Sequence, residues 1–105
     1  MAIRDQLHDT SYWLEEVKQR CGCSSDGELA RLLNVTKQAV SMQKAGKHEM
    51  SVKQAVKVAE LLKCNPMEVI CGVMFHQDVM ERDFWTDIFQ QTVTENDRRH
   101  YFKKV

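Results

Sequence analysis

The sequence predicts a single all-α domain, and three observations support this fold class. The chain has 105 residues, a length typical of one domain. Residues that favour helix, such as Ala, Leu, Met, Glu, Lys and Gln, dominate the composition. Apolar residues recur at helical rather than alternating spacing, and one proline with four glycines leaves little room for long loops.

Hydrophobic spacing and capping residues predict six helices. They follow a polar arm, residues 1–10, that we expect to be flexible, and they cover about 11–20, 25–33, 37–44, 52–63, the segment that begins at 66, and 79–91. Five N-terminal caps support these starts: Ser25 with Glu28, Thr36, Ser51 with Gln54, Asn65 before Pro66, and Asp78 with Glu81. The residues Thr94 and Asp97 indicate one more short helix.

The last two predicted helices are rich in apolar side chains. The fifth is apolar nearly all round, which predicts a central position or a covering partner. The sixth carries an apolar stripe that begins at Met80 and continues to residue 89. We expect this stripe either to fold back onto the chain or to form a homodimer interface. The interface residues would be Phe84, Trp85, Ile88 and Phe89.

The formal net charge is zero, but the charge is unevenly distributed. Residues 27–63 carry seven basic and three acidic groups, a net charge of +4, whereas residues 1–26 and 64–105 each carry −2. Local charge matters more for phosphate attraction than the total does. The basic middle segment therefore keeps nucleic acid open as a partner.

The sequence gives no sign of a signal peptide or of a membrane-spanning helix. The N-terminal residues lack the apolar run of a signal peptide, and the longest apolar stretch, residues 69–75, is too short to span a bilayer. We therefore expect a soluble, cytoplasmic protein with no membrane partner. Its cysteines should be reduced, with Cys64 and Cys71 acting as small buried apolar residues.

Two short predicted helices, 25–33 and 37–44, are joined by only three residues, 34–36. So short a turn forces a steep crossing, which needs a small residue at the contact and apolar residues on both sides. Ala30 is the small residue at the contact, and Leu33 and Val40 are among the apolar residues on its two sides. This combination is typical of a helix-turn-helix.

The free face of the second of these helices consists of residue types that can contact bases in the major groove, although any solvated helix face would be polar. These candidate base-reading residues are Lys37, Gln38, Ser41 and Met42.

Residues 25–66 resemble the phage-repressor-like (Cro-type, xenobiotic-response-element) helix-turn-helix family, especially small regulators of phages and mobile elements. The matching positions are Leu29-Ala30, Leu32-Leu33, Val35-Thr36, Val40-Ser41, Gly46, Ala59, Leu62 and Asn65-Pro66. The resemblance covers about residues 11–75. It implies a five-helix, lambda-repressor-like DNA-binding domain at 11–76, followed by a C-terminal helical extension at 77–105 that could form a dimer.

The resemblance also implies a function. It suggests sequence-specific binding of double-stranded DNA by a homodimer that acts as a small transcriptional repressor or regulator, with residues 37–44 in the major groove. By position, the same four residues would read bases. Phosphates would be contacted by Ser25, Thr36, Lys44, Lys47 and Lys53. Two positions depart from the family pattern: Asn34 replaces a common Gly, and Gln43 replaces a Trp or other apolar residue that packs in the core.

Other functions have less support in the sequence. We find no nucleophile–base pair, glycine-rich phosphate loop or carboxylate cluster, so we expect no enzyme and no cofactor. Cys21 and Cys23 with His8 or His100 could bind zinc, but paired CxxC spacing is missing, and we expect no metal. The alternative function is a protein-binding module in which a degenerate helix-turn-helix acts as an anti-repressor or inhibitor. The neutral net charge and Gln43 favour it.

Overall fold

The computed structural model describes the backbone of residues 3–93 and the side chains of residues 5–93. All regular structure in this part of the chain is helical, which confirms the predicted all-helical architecture there. The α-helices are α1 (Thr10–Arg20), α2 (Asp26–Leu33), α3 (Lys37–Lys44), α4 (Val52–Leu62), α5 (Pro66–Gln77) and α6 (Arg82–Thr92). Two short 3₁₀ helices cover Ile3–Gln6 and Val79–Glu81. The short helix predicted near Thr94 and Asp97 lies outside the described residues.

Four of the five predicted N-terminal caps are observed. The fifth is wrong, because Asp78 makes no side-chain cap hydrogen bond and α6 begins at Arg82 instead of about residue 79. The capping side chains of Ser25, Thr36, Ser51 and Asn65 each accept a hydrogen bond from a backbone N–H of the first helical turn, at 3.0–3.2 Å. A side-chain oxygen at this position satisfies a donor that the helix cannot pair internally. The starts of α2 to α5 were therefore predictable within a residue from local sequence, whereas the start of α6 was not.

The main hydrophobic core lies among α1 to α5. It includes the apolar residues on both sides of the α2–α3 connection, Leu29, Leu33 and Val40, as well as Ala30. α5 packs between α4 and α6, so its predicted central position is confirmed. None of the described helices is both long enough and apolar enough to cross a membrane.

A second core cluster joins the N-terminal segment to α5 and α6, and it corrects the predicted flexible arm. Leu7 is buried there together with Cys71. The His76 Nε2 atom lies 2.8 Å from the Leu7 carbonyl oxygen. The segment at His8 can pass close to α5 because residue 72 is a glycine. A Cβ at this position would collide with the His8 carbonyl oxygen. Residues 7–10 are therefore packed, since long-range contacts hold a segment that looks polar by itself.

The same cluster removes Phe89 from the predicted dimer interface. Phe89 is only 1% exposed, and Trp85 and Ile88 pack against the cluster from the same helix. Phe89 cannot contact a partner because its ring is already covered within the chain. Phe84 alone among the four predicted interface residues is exposed.

Candidate nucleic-acid interface

The turn between α2 and α3 fixes the relative direction of these helices. Asn34 ends α2 in the left-handed conformation, with φ 59° and ψ 44°, which Asn tolerates better than most other residues. The Val35 N–H then donates to the Ala30 carbonyl at 2.9 Å, a Schellman-type closure. Thr36 starts α3 immediately by accepting the Ala39 N–H. Asn34 thus performs the role that glycine has in many helix ends.

One face of α3 is open to solvent. Lys37, Gln38 and Ser41 are exposed, and Met42 is half-buried. Within residues 5–93, none of these four side chains takes part in a hydrogen bond or an ion pair. The structure therefore brings three of the four predicted base-reading residues together on one surface, with Met42 at its edge.

The opposite side of α3 contains an unexpected polar contact. Gln43 and Gln54 are both buried, and their side-chain amides exchange two hydrogen bonds. This arrangement gives each amide both a donor and an acceptor partner, which makes its burial acceptable. The Gln54 N–H also donates to the Ser51 cap at 3.1 Å. The last turn of α3 is therefore attached to the first turn of α4.

The predicted phosphate-contacting lysines have different surroundings. Lys47 and Lys53 are exposed and form no ion pair within the described part of the chain. The Lys44 Nζ atom instead lies 3.1 and 3.2 Å from the two carboxylate oxygens of Asp26. Lys18 approaches the same carboxylate at 3.5 Å. Because Asp26 opposes its charge, Lys44 has less to offer a phosphate than the sequence alone indicates.

The first turn of α2 is acidic, which affects the role predicted for Ser25. Its hydroxyl is used as the helix cap, and Asp26 and Glu28 place two carboxylates beside it. The Glu28 carboxylate accepts hydrogen bonds from the N–H and the hydroxyl of Ser24, which lower its pKa. Carboxylates already use the favourable field at this helix end and repel a second anion. This end of α2 is therefore less suited to phosphate than the α4 side.

The connection between α3 and α4 is held in place by α1. The Thr10 hydroxyl donates to the Glu49 carboxylate at 2.6 Å and accepts the Met50 N–H at 3.1 Å. Thr10 is buried, and sequence reasoning missed it because it assigned this residue to the arm. These contacts anchor the connection that carries Lys47.

A groove of about 260 Å³ lies beside the α2–α3 turn and the start of α4. Its lining residues are Leu33, Asn34, Val35, Ser51, Lys53, Gln54 and Lys57. Lys57 lies one helical turn after Lys53 and is exposed, so the two ammonium groups share one side of α4. Sequence reasoning counted Lys57 in the basic segment but did not single it out, although its spacing from Lys53 was a usable signal.

The cysteines do not form a metal centre in the described residues. No group of three or more His, Cys, Asp or Glu side chains suited to a metal ion occurs among them, and His100 lies outside them. The His8 ring stacks on Tyr12 with centroids 3.7 Å apart. Cys64 and Cys71 are buried as predicted, and burial raises their pKa to about 12 and about 11. Buried neutral thiols of this kind are poor ligands and poor nucleophiles.

Comparisons with family models, curated proteins and solved structures found no significant match to this chain. The family resemblance of residues 25–66 stays a prediction.

Proposed function

We propose that this chain binds double-stranded DNA through a helix-turn-helix formed by α2 and α3, with α3 in the major groove. The observation that carries the proposal is the open face of α3, where Lys37, Gln38 and Ser41 have no partners within the described residues. Lys can donate to guanine, Gln can form a bidentate contact to adenine, and Ser can contact either. The buried Val40 and Gln43 hold the other side of the helix against the rest of the chain.

Phosphate contacts would flank this face. Lys47 follows α3, and Lys53 and Lys57 lie on the first turns of α4. All three are exposed and form no ion pair within the described residues. They would fix the position of α3 on the duplex without reading sequence.

A homodimer and a regulatory role belong to the same proposal. One short helix contacts only a few base pairs, so two copies on half-sites about 34 Å apart would provide specificity. With the resemblance to small phage and mobile-element regulators, this favours a transcriptional repressor. The buried Phe89 is not part of the dimer contact that we propose.

A second candidate is a protein-binding module that acts as an anti-repressor or inhibitor. The exposed Met80 and Phe84 favour it, because clustered apolar side chains on a surface mark contact sites. In this case α3 would be an ordinary solvated helix.

The deciding experiment selects bound duplexes from a random-sequence pool and then titrates the best duplex at several salt concentrations. We expect an enriched motif, and an affinity that falls linearly with salt on logarithmic axes, with a slope of about −0.9 per phosphate contacted. The triple variant Lys37→Ala, Gln38→Ala, Ser41→Ala should lose the motif preference. A protein that enriches no sequence and binds no duplex at low salt would overturn the proposal in favour of the protein-binding module.

A further inference from the structure

The connection between α1 and α2 carries two cysteines that are separated by a single glycine, Cys21-Gly22-Cys23. Cys21 is exposed and Cys23 is half-buried, whereas the other two cysteines of the chain are buried. We call Cys21 and Cys23 the paired thiols. They are the two cysteine side chains that a reagent in solution can reach.

The backbone turns back on α1 at the paired thiols and keeps them close together. The Cys21 N–H donates to the Val17 carbonyl and the Cys23 N–H donates to the Lys18 carbonyl, each at 2.9 Å. The two cysteines are therefore attached to consecutive carbonyls of one helical turn. Between them Gly22 has φ 68°, the left-handed conformation that closes a Schellman motif.

This turn sets the distance between the paired thiols. Two Cα atoms separated by one residue are at most about 7 Å apart even in an extended chain. The turn at Gly22 shortens this distance, and disulfides usually join Cα atoms that are roughly 4.4–6.8 Å apart. The backbone of Cys21 and Cys23 therefore lies within the range of a disulfide.

The outer side of the turn is open. A Cβ placed on Gly22 would meet no atom of the described residues within 4 Å, apart from its two chain neighbours. The side chains of Cys21 and Cys23 therefore have room to rotate toward each other. Burial raises the pKa of the Cys23 thiol, and negative charge on Cys21 raises it further, as expected for neighbouring sulfur atoms.

The other cysteines are protected from the same chemistry. Cys64 and Cys71 are buried, and burial raises their pKa to about 12 and about 11. Because the attacking species in thiol–disulfide exchange is an accessible thiolate, these two side chains should not react with a disulfide in solution. They provide a control within the same chain.

We propose that Cys21 and Cys23 form a redox modification site, at which the paired thiols reduce a small-molecule disulfide of the glutathione type and close into a disulfide of their own. The exposed Cys21 thiolate attacks one sulfur of the external disulfide, forms a mixed disulfide and expels a thiolate, which takes up a proton. Cys23 then loses its proton to solvent, and its thiolate attacks the Cys21 sulfur and expels the second thiolate. The chain loses two hydrogen atoms, and one external disulfide becomes two thiols.

Cys23 thus acts as the resolving thiol for Cys21. An exposed thiol without such a neighbour would keep the external group or link two chains, whereas a resolving cysteine close by removes the group. The small ring around Gly22 is exposed, and exposed or strained disulfides are easily reduced again. The paired thiols would therefore be reduced under ordinary intracellular conditions and oxidised when disulfides accumulate. The inference is independent of DNA binding by α3.

The test incubates the reduced full chain with excess glutathione disulfide, quenches the reaction with acid and maps the products by mass spectrometry. Trypsin cleaves after Arg20 and Arg31, so one peptide, residues 21–31, contains both paired thiols. Another peptide, residues 64–82, contains the two buried cysteines. We expect peptide 21–31 to become lighter by two hydrogen atoms and to resist alkylation. Peptide 64–82 should remain reduced and take two alkyl groups once the quenched chain is denatured.

Two variants separate the roles of the paired thiols. Cys23→Ala should stop after the first step and keep one glutathionyl group on Cys21. Cys21→Ala should form an adduct roughly tenfold more slowly, because the remaining thiol is half-buried. Unchanged amide spectra for α3 to α6 would show that both variants are folded.

Three results would overturn the proposal. The first is an unaltered chain that retains the glutathionyl group without closing the ring, or that accumulates disulfide-linked dimers. The second is oxidation of peptide 64–82 as fast as that of peptide 21–31. The third is an adduct that forms as fast in Cys21→Ala as in Cys23→Ala, which would show that Cys21 is not the attacking thiol.

Discussion

Gln43 and Gln54 exchange two hydrogen bonds, at 2.9 and 2.8 Å, between side chains that are 7% and 6% exposed. The pair joins the last turn of α3 to the first turn of α4. An apolar side chain at position 43 could fill the same space, but it could not fix α3 by directed bonds. The amide pair thus holds the proposed reading helix in one orientation relative to Lys53.

The losses of stability in the two single variants should add up to more than the loss in the double variant. Gln43→Leu or Gln54→Leu leaves a buried amide without its partner, so each should lower the free energy of unfolding by about 1–3 kcal/mol. The double variant should lose less than the sum, with a coupling of about 0.5–3 kcal/mol. Urea denaturation of the four proteins measures this. Additive losses would show that the two amides do not stabilise each other.

The parts of the fold that depend on local signals were predictable from sequence. The caps Ser25, Thr36, Ser51 and Asn65 act within two or three residues of themselves, so their sequence context determines their role. The open face of α3 follows for the same reason, because the apolar positions of a short helix determine which side stays exposed.

The parts that depend on distant contacts were not predictable. Leu7 is buried because it joins a cluster with Cys71 and Phe89, which lie more than sixty residues later, and no local sequence pattern indicates this cluster. Gln43 was recognised as a polar residue at an apolar position, but its burial depends on Gln54. Lys44 was assigned to phosphate by its position in the family pattern, and its contact with Asp26, eighteen residues earlier, has no local sequence signal.

Two glycine-to-alanine substitutions with opposite expected effects on stability test the packing of the N-terminal segment. Gly72→Ala places a methyl group against the His8 backbone, which must shift, so we expect a loss of about 1–3 kcal/mol in the free energy of unfolding. Gly27→Ala is the matched control in α2, where the new methyl group meets nothing closer than the Ser25 Oγ at 3.7 Å. It should stabilise the protein by about 0.5–1 kcal/mol, because alanine favours helix. Equal effects in thermal denaturation would contradict the close approach at Gly72.

Asp26 should make stability depend on pH in the acid range. The hydrogen bond from Lys44 is the main cause that lowers the pKa of Asp26 below its ordinary value of 3.8. The contribution of Asp26 to stability is therefore fully present above its ordinary pKa of 3.8. It is lost as pH falls through the lower pKa of the folded state. Because the pair is partly exposed, we expect only about 0.2–1 kcal/mol.

The measurement for Asp26 compares denaturation curves between pH 2 and 6. Asp26→Asn should destabilise the unaltered chain at the upper end of this range and have no effect at the lower end. In the Lys44→Met background the same substitution should change stability much less across the whole range. An equal effect in both backgrounds would mean that Lys44 does not cause the pKa shift.

Gln38 is expected to determine sequence preference. Gln38→Ala removes an exposed amide from the centre of the α3 face, so affinity for the selected duplex should fall by about 1–3 kcal/mol with little change on random DNA. Gln90→Ala, an exposed glutamine on α6, is the matched control and should leave both affinities unchanged. Competition binding with the two duplexes measures the ratio. An equal loss on both would assign Gln38 to positioning instead of base reading.

The lysines around α3 should contribute differently to the salt dependence of DNA binding, because only some of them have an intramolecular partner. Lys53 has no ion pair within the described residues, so Lys53→Gln should reduce the salt slope of DNA binding by about one unit, as expected for one lost phosphate contact. Lys44→Gln should reduce it by less, because Asp26 already opposes the Lys44 charge at 3.1 Å. Lys63→Gln, at the opposite end of α4, should leave the slope unchanged. Fluorescence anisotropy at five salt concentrations distinguishes the three variants. If the Lys44 variant loses as much slope as the Lys53 variant, the ion pair between Lys44 and Asp26 must open when the protein binds DNA.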